Sequence, residues 1–257
     1  EHEGEGTVEF RDVSFKYPDA EEAVLEHVSF KANKGDVVAF IGSTGSGKST
    51  LINLVPRFYD VTDGAVLVDG IDVREYSQKT LHDKIGYVSQ KAQLFKGTLA
   101  SNIEYGENEV TEHDEANIIR ALTIAQGADI IEKEEKGIYA EVAQGGSNFS
   151  GGQKQRISIA RAVFSNPEIY VFDDSFSALD YKTDKVLRAT LKKETQGATT
   201  LIVAQRIGTV KDADTIVVLD EGKVVGQGTH DELMRDCEVY RQIAYSQLSK
   251  EELGDAR

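Results

Sequence analysis

The sequence predicts an α/β fold: a mostly parallel sheet covered by helices, with an antiparallel β subdomain near the N-terminus and an inserted helical subdomain. Three observations carry this. Near-alternating apolar positions (Val8, Phe10, Val13, Phe15, Tyr17, then Val24, Val28, Phe30) flank a polar turn over 18–22, the pattern of a hairpin with a longer loop. The continuous apolar runs over 37–41 and 169–172 read as strands buried on both faces of a sheet. After Gly151, strand-like and helix-like segments alternate, as they do where parallel strands are joined by helices.

Element by element, strands are expected over 8–17, 24–31 and 37–41, the last running into Gly42. Helical spacing over 48–55 is closed by Pro56 and the turn Thr62-Asp63-Gly64, and short strands follow over 65–68 and 85–88. Between 91 and 156 the pattern holds helices and no strands. Two helical stretches fall within 98–126, the second opening at Thr111 with Asp114 three residues on, close to a capping box. The charged run over 132–137 reads as a solvated helix end. The chain is therefore expected to be one domain, 1–257, in which 1–90 and 157–257 form the core with its β subdomain and 91–156 the helical subdomain. A helix to Phe164 and the turn Asn166-Pro167 lead to a strand over 169–172, a helix over 182–193, and strands over 199–204 and 215–219. A hairpin at Asp220-Glu221-Gly222 opens into 223–225, and the polar residues 249–257 are expected to fray.

Composition narrows the function classes. The 257 residues carry 29 Lys and Arg against 44 Asp and Glu, a net charge of −15, which argues against a nucleic-acid partner, since such binding needs many cationic contacts. The single cysteine, Cys237, excludes an intrachain disulfide framework and a multi-cysteine zinc site, and is expected to pack. His2, His27, His82, His113 and His230 are dispersed without metal-ligand spacing and are expected to be solvated or locally bonded. No stretch approaches the ~18 consecutive apolar residues of a membrane span, and the start carries no apolar signal segment. Met234 is the only methionine and the chain opens on Glu1, as expected of a fragment of a longer polypeptide or of a processed product.

The chemistry concentrates at Gly42-Ser43-Thr44-Gly45-Ser46-Gly47-Lys48-Ser49-Thr50, which matches G-x-x-x-x-G-K-[ST] between an apolar strand and a helical pattern. Glycines let successive N–H groups turn toward a phosphate, and the helix N-terminus adds its positive dipole end. Lys48 supplies a mobile charge to the β/γ-phosphates and the Ser49 hydroxyl a magnesium ligand. Such a site needs a second acidic anchor at the end of a neighbouring buried strand. Asp173, directly after Ile169-Tyr170-Val171-Phe172, is that candidate for a direct or water-mediated metal contact.

Asn148-Phe149-Ser150-Gly151-Gly152-Gln153 lies between this loop and the Asp173 strand and resembles the signature motif of ATP-binding cassette (ABC) proteins, with Phe149 in place of the usual leucine. The resemblance implies a P-loop NTPase core of the RecA-like kind that binds ATP and Mg2+. It also implies roles for further residues. Tyr17 looks like the aromatic that stacks on adenine, Gln90 in Tyr87-Val88-Ser89-Gln90 like the Q-loop glutamine that also meets the metal, and Asp180 in Ser177-Ala178-Leu179-Asp180 like the D-loop aspartate. Lys96-Gly97-Thr98-Leu99-Ala100-Ser101-Asn102-Ile103 and the stretch around Glu141 resemble the nucleotide-binding domain of ABC exporters. In that group the domain follows a membrane domain, works at the cytoplasmic face of the cell membrane, and meets the membrane part through the Q-loop and the Glu141 segment. Ser150, Gly151, Gly152 and Gln153 would close over the γ-phosphate held by a second, partner domain, so that two domains sandwich two nucleotides head to tail.

Two positions depart from the pattern. The residue after the strand-end aspartate of the family, its Walker B aspartate and here Asp173, is usually glutamate and here is Asp174; the histidine that usually contacts the γ-phosphate is here Gln205. Asp174 is one methylene shorter, roughly 1.5 Å of reach, and a misplacement of about 1 Å can cost ~10²-fold in rate. Gln205 can donate a hydrogen bond but cannot become cationic. The chain therefore resembles the degenerate-site half of a heterodimeric, multidrug-type exporter: ATP should bind and turn over slowly at its own Walker site, and its signature should complete the partner's fast one. A nucleotide-gated regulatory module with negligible hydrolysis and a fully active homodimeric ATPase are the alternatives. A soluble ABC ATPase of DNA repair or translation is disfavoured, because 257 residues leave no room for a coiled-coil insertion or tandem cassettes.

Overall fold

The computed structural model describes residues 5–105, 112–195 and 197–254. Strands β1 (Val8–Phe15) and β2 (Leu25–Ala32) form the expected antiparallel hairpin, with Phe10 opposite Phe30 and Phe15 opposite Leu25. The first strand ends two residues earlier than the alternation reaches, which leaves Tyr17 in the connecting turn. Strand β3 (Val37–Gly42) feeds α1 (Lys48–Asn53), and β4 (Asp63–Val68) returns to pair with the free edge of β1. With β5 (Ile71–Asp72) this makes a four-stranded antiparallel sheet in the order β2-β1-β4-β5. Helix α2 (Gln78–Lys84), capped by the Ser77 side chain, leads into β6 (Ile85–Val88).

The middle segment is not free of strands. Strand β7 (Gly97–Thr98) pairs antiparallel with β8 (Glu141–Val142), Thr98 facing Glu141, and clamps the two ends of the helical region together. Between them lie α3 (Leu99–Ile103), α4 (Glu115–Ile124) and α5 (Ala128–Glu132). The expected helix start at Thr111 lies outside the described residues; the helix itself opens at Glu115, and Asp114 is its N-cap, accepting from the Asn117 N–H. Helix α6 (Gly151–Phe164) then runs back toward the core.

The remaining elements are β9 (Ile169–Asp173), α7 (Tyr181–Glu194), β10 (Thr199–Val203), α8 (Ile207–Val210), β11 (Thr215–Asp220), β12 (Lys223–Gly228), α9 (His230–Asp236) and α10 (Glu238–Gly254). Helix α10 continues through positions expected to fray from Ser249. The main sheet has the order β12-β11-β3-β10-β9-β6; all neighbours are parallel except the β11-β12 hairpin.

Why the sheet strands are apolar without alternation is visible in the packing. Ala39, Ile41, Tyr170, Phe172, Ile202 and Val218 face the layer built from α3, α4, α6, α7 and α10. Their neighbours Val38, Phe40, Val171, Leu201, Val203 and Val217 face α1 and the antiparallel sheet on the other side. Both faces are dry, so both sets of side chains must be apolar. Because β6, β9, β10, β3 and β11 pair in parallel, each points its C-terminal end at the same rim, where the loops after β3, β9 and β10 converge. Among the described residues no helix is long and apolar enough to cross a membrane.

Candidate functional site

The loop between β3 and α1 is shaped by its glycines. A Cβ on Gly42 would lie 2.3 Å from the Leu219 carbonyl oxygen of β11, and Gly47 has φ of 100° with Leu25 Cδ2 2.8 Å from a Cβ position. Only glycine fits at either place, and the chain can then wrap so that Lys48 folds back over the loop. Its Nζ donates to the carbonyls of Gly42 (2.7 Å) and Ser43 (3.2 Å). Burial holds the Lys48 ammonium below its usual range, an effect opposed by the negative charges of Asp174 and Asp173.

The end of β9 brings the acidic pair to the same rim. Ser49 Oγ donates to Asp173 Oδ1 at 2.9 Å, so the first residue pair expected to face a metal is already in contact. Asp174 turns out of the strand with φ of 50°, a left-handed conformation that aspartate tolerates better than most residues, and its N–H donates to the Val203 carbonyl of β10. Gln90 Nε2 donates to Asp174 Oδ2 at 3.2 Å. Burial pushes both carboxyls above the usual carboxylate range. For Asp174 the charge of Asp173 adds to that rise, while for Asp173 the Ser49 and Tyr87 hydroxyls and Lys48 oppose it. A rim that holds two partly desolvated carboxylates beside one lysine favours a ligand bringing more positive charge with it.

Lys48, Ser49, Thr50, Gln90, Asp174 and Gln205 line one cavity of about 260 Å³. Ser46, also in its wall, is buried with no hydrogen-bond partner for its Oγ among the described residues, as fits a group whose partner is a ligand oxygen. Ser49, Asp173 and the Gln90 amide offer hard oxygen donors in the small number that Mg2+ takes from protein when phosphates and water supply the rest. Among the described residues no group of three or more His, Cys, Asp and Glu forms a dedicated metal cage. A larger cavity of about 430 Å³ lies between α7 and the sheet, walled by Phe172, Phe176, Leu191 and Ile202, and is lined by none of the residues 42–50.

Other sequence-derived residues fall around this cavity or apart from it. Tyr17 stands beside the loop, its OH hydrogen-bonded to Thr50 Oγ1 at 2.8 Å and its ring edge-on to Phe15 and Tyr59. Ser150 to Gln153 form a full capping box at the start of α6: the Ser150 hydroxyl accepts from the Gln153 N–H and the Gln153 side chain accepts from the Ser150 N–H. They do not line the cavity. Nor does Asp180, exposed at the start of α7, where it caps the helix and accepts from Thr183 N–H and Oγ1. Glu141 is exposed on β8.

Several positions of this rim carry no motif in the sequence. Gln155 sits 3 % exposed on α6 and donates through Nε2 to the Gln90 carbonyl, tying the signature helix to the Q-loop main chain. Tyr87 donates to Asn53 Oδ1 at 2.9 Å and stands beside Asp173, and burial carries its phenol well above the usual range. Arg206 reaches the Phe176 carbonyl at 2.6 Å and the Leu179 carbonyl at 3.1 Å, with its guanidinium over the Tyr181 ring. The signal available in each case was a polar residue interrupting an apolar stripe or following a strand end.

A mostly parallel sheet with a glycine loop, an invading lysine, and a serine at the start of the following helix bonded to a strand-terminal aspartate at its C-terminal rim defines a P-loop nucleotide-binding domain. Residues 25–177 match the family described as ABC transporter, and the chain belongs to that family. An uncharacterised ABC transporter ATP-binding protein of Mycobacterium tuberculosis is 47% identical over 249 residues, covering 97% of this chain and 42% of that protein. The ATP-dependent lipid A-core flippase of Burkholderia orbicola is 42% identical over 238 residues, 93% of this chain and 40% of the flippase. The solved structure of a bacterial Atm1-family ABC exporter with ATP bound superimposes with a TM-score of 0.89 at 36% identity, over 95% of this chain and 42% of that one. The chain is thus an ATP-binding domain of the exporter type, and it spans 42% and 40% of the lengths of those two relatives.

Proposed function

We propose that this chain is the motor domain of a membrane exporter, working at the cytoplasmic face of the membrane with a second nucleotide-binding domain, and that its own Walker site hydrolyses ATP slowly. The supporting observation is the joint placement of Asp174 and Gln205 on the cavity that holds Lys48. These are the two positions where the family pattern calls for glutamate and histidine.

In this reading the 42–50 loop and Lys48 bind the β- and γ-phosphates, Tyr17 stacks on the base, and Ser49, Asp173 and Gln90 hold Mg2+, which would neutralise phosphate charge. Asp174 orients the attacking water from one methylene too far back, and Gln205 donates to the γ-phosphate without a full positive charge. Ser150, Gly151, Gly152 and Gln153 present a hydroxyl, N–H groups and a helix N-terminus to the nucleotide of the partner domain, with Asp180 alongside. The Q-loop and the Glu141 segment receive the motion of the membrane domain.

The test is ATPase activity of the assembled transporter after the partner's Walker B glutamate is changed to glutamine. Turnover should collapse, because the remaining site is this chain's own. Turnover near wild type overturns the degenerate-site reading.

A further inference from the structure

The turn that carries Gln205 and Arg206 leaves the sheet after β10 and enters α8, a helix of a single turn whose N-cap residue, Arg206, provides no side-chain cap. Its first N–H group, that of Ile207, would ordinarily lack a partner. The partner comes from forty residues away. Gln247 Oε1 accepts from the Ile207 N–H at 2.7 Å, and Gln247 Nε2 donates to the Gln205 carbonyl. Because one contact is an N–H donor and the other a carbonyl acceptor, both ends of the amide are fixed: a side chain needs one donor and one acceptor at this position, and glutamine has both.

Helix α10 can hold that amide still. Tyr240 and Ala244 are buried, Ile243 packs against the same core, and Gln247 follows at the i+7 position of this stripe. Tyr240 is further tied to His230 by a 2.6 Å hydrogen bond. On the other side of the turn, Arg206 is anchored to the Phe176 and Leu179 carbonyls and to Asp184. The main chain from the Gln205 carbonyl to the Ile207 N–H is thus stitched to α10, and the Arg206 side chain between them is tied to the loop before α7 and to α7 itself, while Gln205 lines the nucleotide cavity.

We infer that Gln247 is a positioning residue for the nucleotide site: it acts through Gln205, setting how well the site distinguishes a nucleoside triphosphate from a diphosphate. The inference rests on the proposed role of Gln205 toward the γ-phosphate. It places the recognition of a terminal phosphate partly under the control of the C-terminal helix.

The experiment measures ATP and ADP affinities of the assembled transporter at this site for Gln247→Glu and Gln247→Leu, alone and combined with Gln205→Ala. Gln247→Glu keeps the size of the side chain and an acceptor for Ile207 but loses the donor to the Gln205 carbonyl. Both variants should weaken ATP about five- to tenfold and leave ADP within twofold, with no further loss in the Gln205→Ala background, since residues acting through one another are not additive. The exposed Gln242→Ala on the same helix should change neither affinity. Equal loss of ATP and ADP affinity, an unchanged ratio, or additive effects with Gln205→Ala overturns the inference. The hydrolysis assay of the mixed transporter reads rate rather than affinity, so a fast Walker site would overturn the degenerate-site reading without touching this result.

Discussion

Arg206 Nη2 lies 3.2 Å from Asp184 Oδ2, so the turn after β10 is joined to α7 through a carboxylate that is only 1 % exposed. Asp184 also accepts from Arg188 Nε at 2.6 Å and Thr209 Oγ1 at 2.8 Å. One buried acid thus bonds two guanidinium groups and a hydroxyl, and the turn after β10 is held at fixed spacing from α7.

Removing that acid should be costly. Asp184→Ala leaves two partly buried guanidinium groups without their counter-charge, and breaking a buried pair from one side typically costs about 3 kcal/mol or more. A chemical-denaturation midpoint will show it. An unchanged midpoint would mean that Arg188 and Arg206 find other partners.

The glycine loop separates close approach from backbone conformation. Gly45 has φ of 79° with nothing within 4 Å of a Cβ position, whereas Gly42 would drive a Cβ into the Leu219 carbonyl. Gly45→Ala is therefore expected to cost ~1 kcal/mol of backbone strain and keep the fold. Gly42→Ala must push β3 away from β11, and should cost about 3 kcal/mol together with nucleotide binding. Thermal unfolding and a fluorescent-nucleotide titration distinguish the two.

If Asp174 and Gln205 slow the site as proposed, the family residues in their place should speed hydrolysis. The double variant Asp174→Glu, Gln205→His returns the missing reach and the ionisable donor, and turnover at this site is expected to rise at least ~10-fold. Measurement with the partner site inactivated isolates the effect. The absence of a gain would count against the proposal that Asp174 and Gln205 slow this site.

Asp174 also makes stability depend on pH. Its carboxyl titrates above the usual range because burial, and then the charge of Asp173, disfavour the anion. The folded protein therefore holds this proton more tightly than the unfolded chain, so the group destabilises the fold at neutral pH and this penalty is relieved as pH falls through the raised pKa. Asp174→Asn removes the charge and suits the positive φ, and without nucleotide at pH 7.5 it should raise Tm by ~1–3 °C, the partial solvent exposure of the side chain keeping the gain small. The difference from wild type should shrink as pH is lowered toward the ordinary carboxylate range. A constant difference across pH would leave only the backbone contribution.

Much of the site is legible in the order of the amino acids. The P-loop motif between an apolar strand and a helix, and Asp173 at the end of a second apolar run, are local patterns whose chemistry follows from residue type and spacing. The hairpin of β1 and β2 and the later order α6, β9, α7, β10, β11 and β12 are legible for the same reason, whereas α8, α9 and α10 fall where no element is expected. The pairing of β7 with β8 is not, because a two-residue strand has no period to read. Helix α10 buries a stripe of Tyr240, Ile243 and Ala244, and the role of Gln247 on that stripe emerges only with the turn it contacts.

Residue order alone singles out the candidates for the chemistry: a lysine in a glycine loop, a serine and an aspartate that could hold a metal, and Asp174 and Gln205 where a glutamate and a histidine are expected. Spacing along one chain is enough to define such groups, since each is set by a strand end or a helix start. Tertiary structure decided what those groups face. Lys48, Asp174 and Gln205 share a cavity only because β3, β9 and β10 lie parallel and end at one rim, while Ser150 to Gln153 stay off it. The anchoring of Gln205 by Gln247 and of Arg206 by Asp184 depends on hydrogen bonds between segments far apart in the chain, whose energies exist only once the helices are packed.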